Sequence, residues 1–524
     1  MSRNTSVSDL DPATEAEIVA FLCERALPPP VRRVDTHGAR LFIGRDETLK
    51  IKRPVALAYM DFSTADKRHA ACRRELEINR SFAPDLYLGV DRITREADGA
   101  LALNGQGTLL ELAVRMRTFA ADAGLDQITA RGPLDRSVAE QLGDRVADLH
   151  RTAPAAAPGL GRTLGQMRDR LLEAADSRRT ELGSDAVDRL AVATAQQVER
   201  AAPILDARRT RGCLRRCHGD LHLGNIVMWN NRPTPFDAIE FDEELATIDP
   251  LYDLAFLLMD LIYRGQSAAA TLILNRYLWR LGESALDELT WNALAALPLA
   301  MSLRALVRTV VAVDRGRAGP HEKAAQSTAE ARDYLALAIE LATPPPPRLI
   351  AIGGLSGTGK STLAAALAPG LGAAPGAIHL RSDLERKALF GVEPTARLGA
   401  DGYTPEATSR AYAMVMRKTE AALAAGHSVV ADAVFSRDDE RASLASLAGK
   451  LGIPFTGLWL TAPEAILTAR VSTRRNDASD ATPDVVARQL RRGAGIIEWG
   501  AVDAGGGPTE TLARARAILA SPRA

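Results

Sequence analysis

Cysteine is scarce in this sequence. Four residues, Cys23, Cys72, Cys213 and Cys217, serve a chain of 524. That is too few for a disulfide framework and fits a reducing compartment. Net charge is absent, because 65 Lys+Arg balance 65 Asp+Glu. No overall field therefore points to nucleic acid or to an anionic membrane as a partner. The most apolar stretch, Ala293 to Val313, is broken by Ser302, Arg304 and Arg308 and reads as a buried helix, not a membrane span. Met1 to Leu10 is polar and lacks the apolar core of a signal peptide. The expectation is a cytoplasmic protein with neither nucleic acid nor membrane as partner; its oligomeric state is left open. Cys213, Cys217, His218 and His222 cluster in sequence, but not at the spacing of a common zinc site.

What is present is a globular composition, 46% apolar and 25% charged, in a chain long enough for two or three domains. The clearest break is Pro344-Pro345-Pro346-Pro347, which cannot continue a helix and favours a stiff, extended spacer. It divides the chain into about 1–343 and 348–524. Before it, Glu322 to Leu341 reads as a closing helix. Earlier, Arg40–Ile43, Thr48–Ile51 and Thr108–Met116 read as strands, interrupted by a helix at about Ser63 to Phe82. From Ser137 onward helices dominate. The expected fold is an α+β, protein-kinase-like bilobal domain followed by an α/β P-loop domain with a parallel sheet.

Gly354-Leu355-Ser356-Gly357-Thr358-Gly359-Lys360-Ser361 fits the phosphate-loop pattern G-x-x-x-x-G-K-[ST]. Its glycines let backbone N–H groups turn toward phosphate oxygens. Lys360 is expected at the β- and γ-phosphates and Ser361 on Mg²⁺, with Thr362 beside them. An apolar strand, Leu349 to Ile352, precedes the loop and a helix, Ser361 to Leu367, follows it. Ile378 to Arg381 reads as a second strand ending at Ser382-Asp383, where a carboxylate can take a substrate hydroxyl's proton. A helix from Thr404 to Ala425 leads to a third strand, His427 to Asp432. Asp432 stands where a Walker-B acid holds Mg²⁺. Gly457 to Leu460 is a fourth strand. The helix after it carries Arg470, Arg474 and Arg475, placed like a lid on the transferring phosphoryl group. The alternatives are caps or solvated loop acids for Asp383 and Asp432, and a solvated helix face for the arginines.

These pieces, with Arg386-Lys387, Val429 to Ala433 and Arg470 to Asp480, resemble the small P-loop kinases that include gluconate kinase, zeta toxins and chloramphenicol phosphotransferase. The resemblance implies ATP-dependent phosphorylation of a small hydroxyl compound. It names no acceptor.

A second motif is His218-Gly219-Asp220-Leu221-His222-Leu223-Gly224-Asn225. A kinase catalytic loop needs an Asp for the acceptor's proton and an Asn five residues on for Mg²⁺; Asp220 and Asn225 have that spacing. The bland alternative is a loop whose polar groups cap neighbouring helices. The run resembles the H-G-D-x-x-x-x-N loop of aminoglycoside and choline phosphotransferases. Asn230 to Pro233 reads as a turn, after which a second metal carboxylate should stand. By position Glu240 takes that place, where the common family pattern has Asp; Asp242, of the same strand parity, is the fallback. Asp249-Pro250 and Asp253-Leu254-Ala255 match the family's D-P-x-x-D-L-A, with Asp253 expected to brace the loop. Upstream, Lys50 is the expected phosphate lysine and Glu75 its helix partner. No clean glycine loop precedes Lys50; Thr36-His37-Gly38 is the only candidate.

Together with Lys50 to Pro54, Leu57 to Lys67, Arg80 to Val90 and Glu111 to Phe119, the whole resembles bacterial fusions of an aminoglycoside-phosphotransferase-like domain with a P-loop kinase. That implies ATP and Mg²⁺ as cofactors and small hydroxyl compounds as partners. Three readings follow. Both sites transfer phosphate; or the first domain is a nucleotide-binding regulatory module; or the second domain is a toxin-like kinase acting on a nucleotide sugar.

Overall fold

The computed structural model describes residues 11–57, 60–157, 161–282, 290–319, 321–475 and 477–520. Met1 to Leu10 and parts of the 57–67 and 470–480 stretches lie outside the described residues. The chain forms two compact units that do not follow the proline run. One draws on residues up to Leu134, Thr152–Arg162 and Leu214–Asp253; the other on Asp135–Arg151, Thr163–Cys213 and everything from Leu254.

The first unit is built on an antiparallel sheet. Its strands are β1 (Arg32–Asp35), β2 (Ala39–Ile43), β3 (Glu47–Lys52), β4 (Tyr87–Arg95), β5 (Leu101–Leu103) and β6 (Thr108–Arg117), in the order β1-β2-β3-β6-β4-β5. Helix α1 (Pro12–Glu24) starts at Asp11, whose carboxylate accepts from the amides of Ala13 and Thr14, an N-cap with Pro at the first helical position. Ile18, Phe21 and Leu22 of α1 bury against Phe42, Leu49, Ile51 and Ile93 of the sheet. Helix α2 (Ala65–Phe82) starts at the cap Thr64, and its Cys72 joins Leu86, Leu112, Val114 and Val227 in a second core. Thr36 to Gly38 is simply the tight turn between β1 and β2. Strands β7 (Ile226–Trp229) and β8 (Arg232–Pro235) form the expected hairpin. Asn230 and Asn231 both have positive φ, 49° and 63°, as a two-residue hairpin turn demands and as Asn tolerates.

The second unit combines helices with a parallel sheet. Its helices include α3 (Ser184–Thr210), the continuation of α4 (Pro250–Tyr263), α5 (Ser267–Leu281), α6 (Leu297–Ala318) and α7 (His321–Ala342). The run Thr290–Ala318 is long and apolar enough to cross a membrane, but 78% of its most apolar 18-residue window is buried inside the fold. It is a core element, as the interrupting Arg304 and Arg308 suggested.

The sheet has strands β9 (Leu349–Gly354), β10 (Ile378–Arg381), β11 (Val429–Asp432), β12 (Phe455–Thr461) and β13 (Gly500–Asp503), ordered β10-β11-β9-β12-β13, all parallel. The near-continuous apolar runs in β9 and β11 follow from burial on both faces. The sequence did not announce β13. Around the sheet run α8 (Lys360–Leu367), α9 (Ser382–Leu389), α10 (Pro405–Ala424), α11 (Asp438–Leu451), α12 (Glu464–Thr473), α13 (Pro483–Arg492) and α14 (Pro508–Ala520). Central β9 has successive crossovers to either side, so the carboxyl ends of the strands open a crevice where ligands of such sheets bind.

Within this unit α5 lies along edge strand β10. Asn275 Oδ1 accepts from His379 N at 2.7 Å, and its Nδ2 donates to Ala377 O at 3.2 Å. Thr271 donates to Pro375 O and Trp279 Nε1 to Leu384 O, at 2.6 and 3.1 Å.

Candidate functional site

At the end of β9 the chain turns sharply into α8. Gly354 (φ 141°) and Gly357 (φ 88°) adopt left-handed backbone. A side chain at Gly354 would strike Leu460 O, and one at Gly357 would strike Leu467 O, so only glycine fits the loop. Thr358 Oγ1 donates to Leu355 O at 2.8 Å and stiffens the turn. Gly359 also has positive φ, 89°. Lys360, Ser361 and Thr362 form the first turn of α8, whose unpaired N–H groups and dipole favour an anion. Lys360 Nζ rests on Leu355 O at 3.0 Å. Withdrawal from water lowers its pKa, against the opposing charges of Asp432 and Asp383.

Gly357, Gly359, Lys360, Ser361, Thr362, Asp383, Asp432 and Arg474 line a single cleft of about 1240 Å³. Asp383 opens α9. Burial raises its pKa, the Arg381 charge opposes the rise, and Asp432 adds to it. Asp432 ends β11 and is 3% exposed. Burial would raise its carboxyl, yet the hydrogen bond from His379 Nε2 at 3.3 Å, with the charges of Arg381 and Lys360, holds it at about 2. Burial lowers the His379 pKa, so near neutral pH the ring donates that bond uncharged. Two neighbouring carboxylates thus differ: one is firmly ionised and the other is biased toward the proton.

The lid arginines divide. Arg470 donates to the carbonyls of Ala504 and Gly506, at 2.9 and 2.8 Å. It is a loop clamp, so the lid role expected of it does not fit its bonds. Arg474 and Arg475 lie just past α12 rather than on it. Arg474 lines the cleft and faces Asp477, which also meets Arg381 at 3.3 Å. The loop is held further by Asp480, which accepts from Lys387 Nζ (2.6 Å), Tyr403 OH (2.6 Å) and Leu398 N (3.0 Å). Gln489 Oε1 accepts from Ser356 N in the phosphate loop at 2.8 Å. His379, Asp477, Asp480 and Gln489 were not singled out from sequence.

In the first unit, Asp220 and Asn225 sit in one loop. Asn225 Nδ2 donates to Asp220 Oδ2 at 2.9 Å and to its carbonyl at 3.0 Å. Asp253 accepts from the amides of His218 and Gly219, at 3.1 and 2.8 Å, and so braces the loop. Lys50 of β3 meets Glu75 of α2 at 2.8 Å, the strand–helix pair expected. Burial would lower the Lys50 pKa, but Asp237 and Glu75 raise it well above its ordinary value.

The structure corrects the expectation for Glu240. Strand β8 ends at Pro235, so strand parity does not extend to residues 236–242. Glu240 is buried and paired with Lys52, which also meets Glu75 at 2.6 Å. Burial pushes the Glu240 carboxyl up while Lys52 opposes it. Asp242 is no fallback, because it caps a short helix by accepting from Glu244 N and Leu245 N. The acid at the end of the hairpin is Asp237. It lies 2.6 Å from Lys50, with 41% of its side chain exposed. Its backbone is pinned by Tyr87 OH to its amide, by Asn79 Oδ1 to Ala238 N, and by His218 Nε2 to Phe236 O. Its place directly after the hairpin was the available signal.

Residues 59–289 match the family model described as a phosphotransferase enzyme family, and residues 349–495 one described as an AAA domain. Uncharacterised proteins of Mycobacterium bovis and Mycobacterium tuberculosis are 26% identical over 469 residues, 88% of this chain and 89% of theirs. A gluconokinase from Sinorhizobium meliloti 1021 is 23% identical, covering 33% of this chain and 92% of that one, with a TM-score of 0.24. A choline/ethanolamine kinase family protein from Mesorhizobium loti is 14% identical, covering 63% and 98%, with a TM-score of 0.37.

Proposed function

Given a nucleotide-using phosphotransferase enzyme that joins a kinase-like domain to a P-loop domain, we propose that both sites move the γ-phosphoryl group of ATP to hydroxyls of small molecules. The observation that carries this reading is the convergence of Lys360, Asp383 and Asp432 with the phosphate loop in one cleft. Functional division falls at the proline run, with each side carrying its own nucleotide site.

At the P-loop site, loop amides and Lys360 hold the phosphates and offset their charge. Asp383, made a stronger base by burial, takes the proton of the acceptor hydroxyl as that oxygen bonds to the γ-phosphorus and the bond from phosphorus to the bridging oxygen of ADP breaks. Arg474, which lines the cleft, steadies the negative charge on the phosphoryl group in transfer and on the departing ADP. Mg²⁺ fits the donor set: an ionised Asp432 and the Ser361 hydroxyl are the hard oxygen ligands it prefers. Bound there, it would neutralise charge on the phosphates.

At the first site, Lys50 is held by Glu75 to meet phosphates, and Asp220 receives the acceptor's proton. Asn225 and Asp237 are oxygen donors suited to Mg²⁺. The intact Lys50, Asp220 and Asp237 favour a working enzyme over a purely regulatory module.

The test is ATP consumption by the full chain against sugars, polyols, aminoglycosides and nucleosides. It is run with Lys360→Ala, with Asp220→Asn, and with both. Each substitution should remove one acceptor-dependent activity, by about 10²–10⁴-fold. If both single variants keep wild-type turnover on every active acceptor, the assignment is wrong.

A further inference from the structure

Helix α13 reads D-V-V-A-R-Q-L-R-R after Pro483. Val486 is its buried anchor, packed with Leu467 and Val471 of α12. Val485, Arg488, Gln489 and Arg492, at helical spacings of three and four, fall on one face, and all four line the cleft. Arg488 and Arg492 make no ion pair among the described residues.

Gln489 is held in one orientation. Its contact with the Ser356 amide, at 2.8 Å, is to a donor. Only the carbonyl oxygen of a carboxamide can accept, so the assignment of O and N is fixed by chemistry. The Nε2 amide, with two hydrogens to give, has no partner among the described residues. An oriented donor with no hydrogen-bond partner among the described residues thus stands beside the phosphate loop, on the helix face that also carries Arg488 and Arg492.

We propose that Gln489 is a catalytic residue of the P-loop site, donating from Nε2 to an oxygen of the transferring γ-phosphoryl group. The proposal rests on the phosphotransferase reading of that site. The Ser356 amide serves as its orienting clip, so the donor is in place before the group moves. Such pre-aimed donors stabilise charge on a phosphoryl group in flight more than flexible ones do.

The proposal separates ligands by one phosphate. Gln489 meets the γ-group, so it distinguishes ATP from ADP. Calorimetry on the full chain with Mg·AMPPNP and with Mg·ADP tests this. The binding component that Lys360→Ala removes defines the P-loop site. Gln489→Glu keeps an oxygen for Ser356 N but loses the donor and adds negative charge. Affinity for AMPPNP at that site should fall about 10- to 100-fold while ADP changes less than about 2-fold. Gln489→Met, which also lacks the donor, reads the same ratio if the Glu variant does not fold. Equal loss for both nucleotides, or no loss for either, overturns the role of Gln489. If Lys360→Ala removes no component, the P-loop reading fails instead.

Discussion

Mild acid should loosen the second unit through one buried imidazole. His427 precedes β11 and is 1% exposed. Its Nε2 lies 2.9 Å from the Leu294 carbonyl, so the ring donates there. Its Nδ1 is buried and finds no partner among the described residues. Burial outweighs the pull of that carbonyl and lowers the pKa from 6.5 to about 4. In the unfolded chain the ring takes a proton below about 6.5, whereas the folded ring resists until about 4. The stabilisation is complete above the unfolded value and is lost as pH falls through this window. At 1.36 kcal/mol per pH unit the loss is about 3 kcal/mol. His427→Gln keeps a donor for the carbonyl and does not titrate. Denaturant unfolding of the full chain at steps from about pH 7.5 to about pH 4 should show wild type losing about 3 kcal/mol more than the variant. Parallel stability curves would refute the reasoning.

In the first unit, Asp237→Asn should weaken Mg²⁺-dependent nucleotide binding with little change in melting temperature, because Asp237 is part-exposed and Lys50 keeps its buried partner Glu75. Glu240→Gln should do the reverse, costing at most about 3–5 kcal/mol, because Lys52 loses one partner but keeps Glu75; calorimetric titration and thermal melts on the same samples separate the two. In the second unit, Glu385 and Lys418 form a buried pair at 2.7 Å, so Glu385→Gln should destabilise by a similar amount. The double variant Glu385→Gln/Lys418→Met should recover part of that loss in urea denaturation, and an additive loss would contradict the pairing.

Local chemistry was legible in the sequence. The glycine positions of the phosphate loop, the Asp220–Asn225 spacing and the Asn230-Asn231 turn follow from short-range rules, while the Lys50–Glu75 pair, 25 residues apart, was expected only from what a kinase-like fold requires. The existence of β9 to β12 and their parallel sense were expected; their order within the sheet was not. What failed was extrapolation past the end of an element: Glu240 was chosen by its distance from the hairpin turn, and Asp242 by a parity that stops at Pro235. What was invisible were contacts across long sequence separation. Gln489 and Ser356 are 133 residues apart, and no pattern in α13 announces which loop amide its side chain meets. Arg470 had the right spacing for a lid, but backbone carbonyls more than thirty residues away claim it.

The contact of Asn275 with β10 has a consequence for how such a chain can be cut or rearranged. An outermost parallel strand offers a ladder of unanswered amides and carbonyls, an invitation to any passing strand. Here a carboxamide from α5 answers one donor and one acceptor as a neighbouring strand would. Severing the polypeptide at the prolines would strip that cover from His379 and Ala377. The liberated fragment would carry a sticky margin, prone to recruit a second copy. Fusion is thus more than tethering: the helical segment answers polar groups on the sheet's open side that a severed fragment would leave to solvent or to another strand.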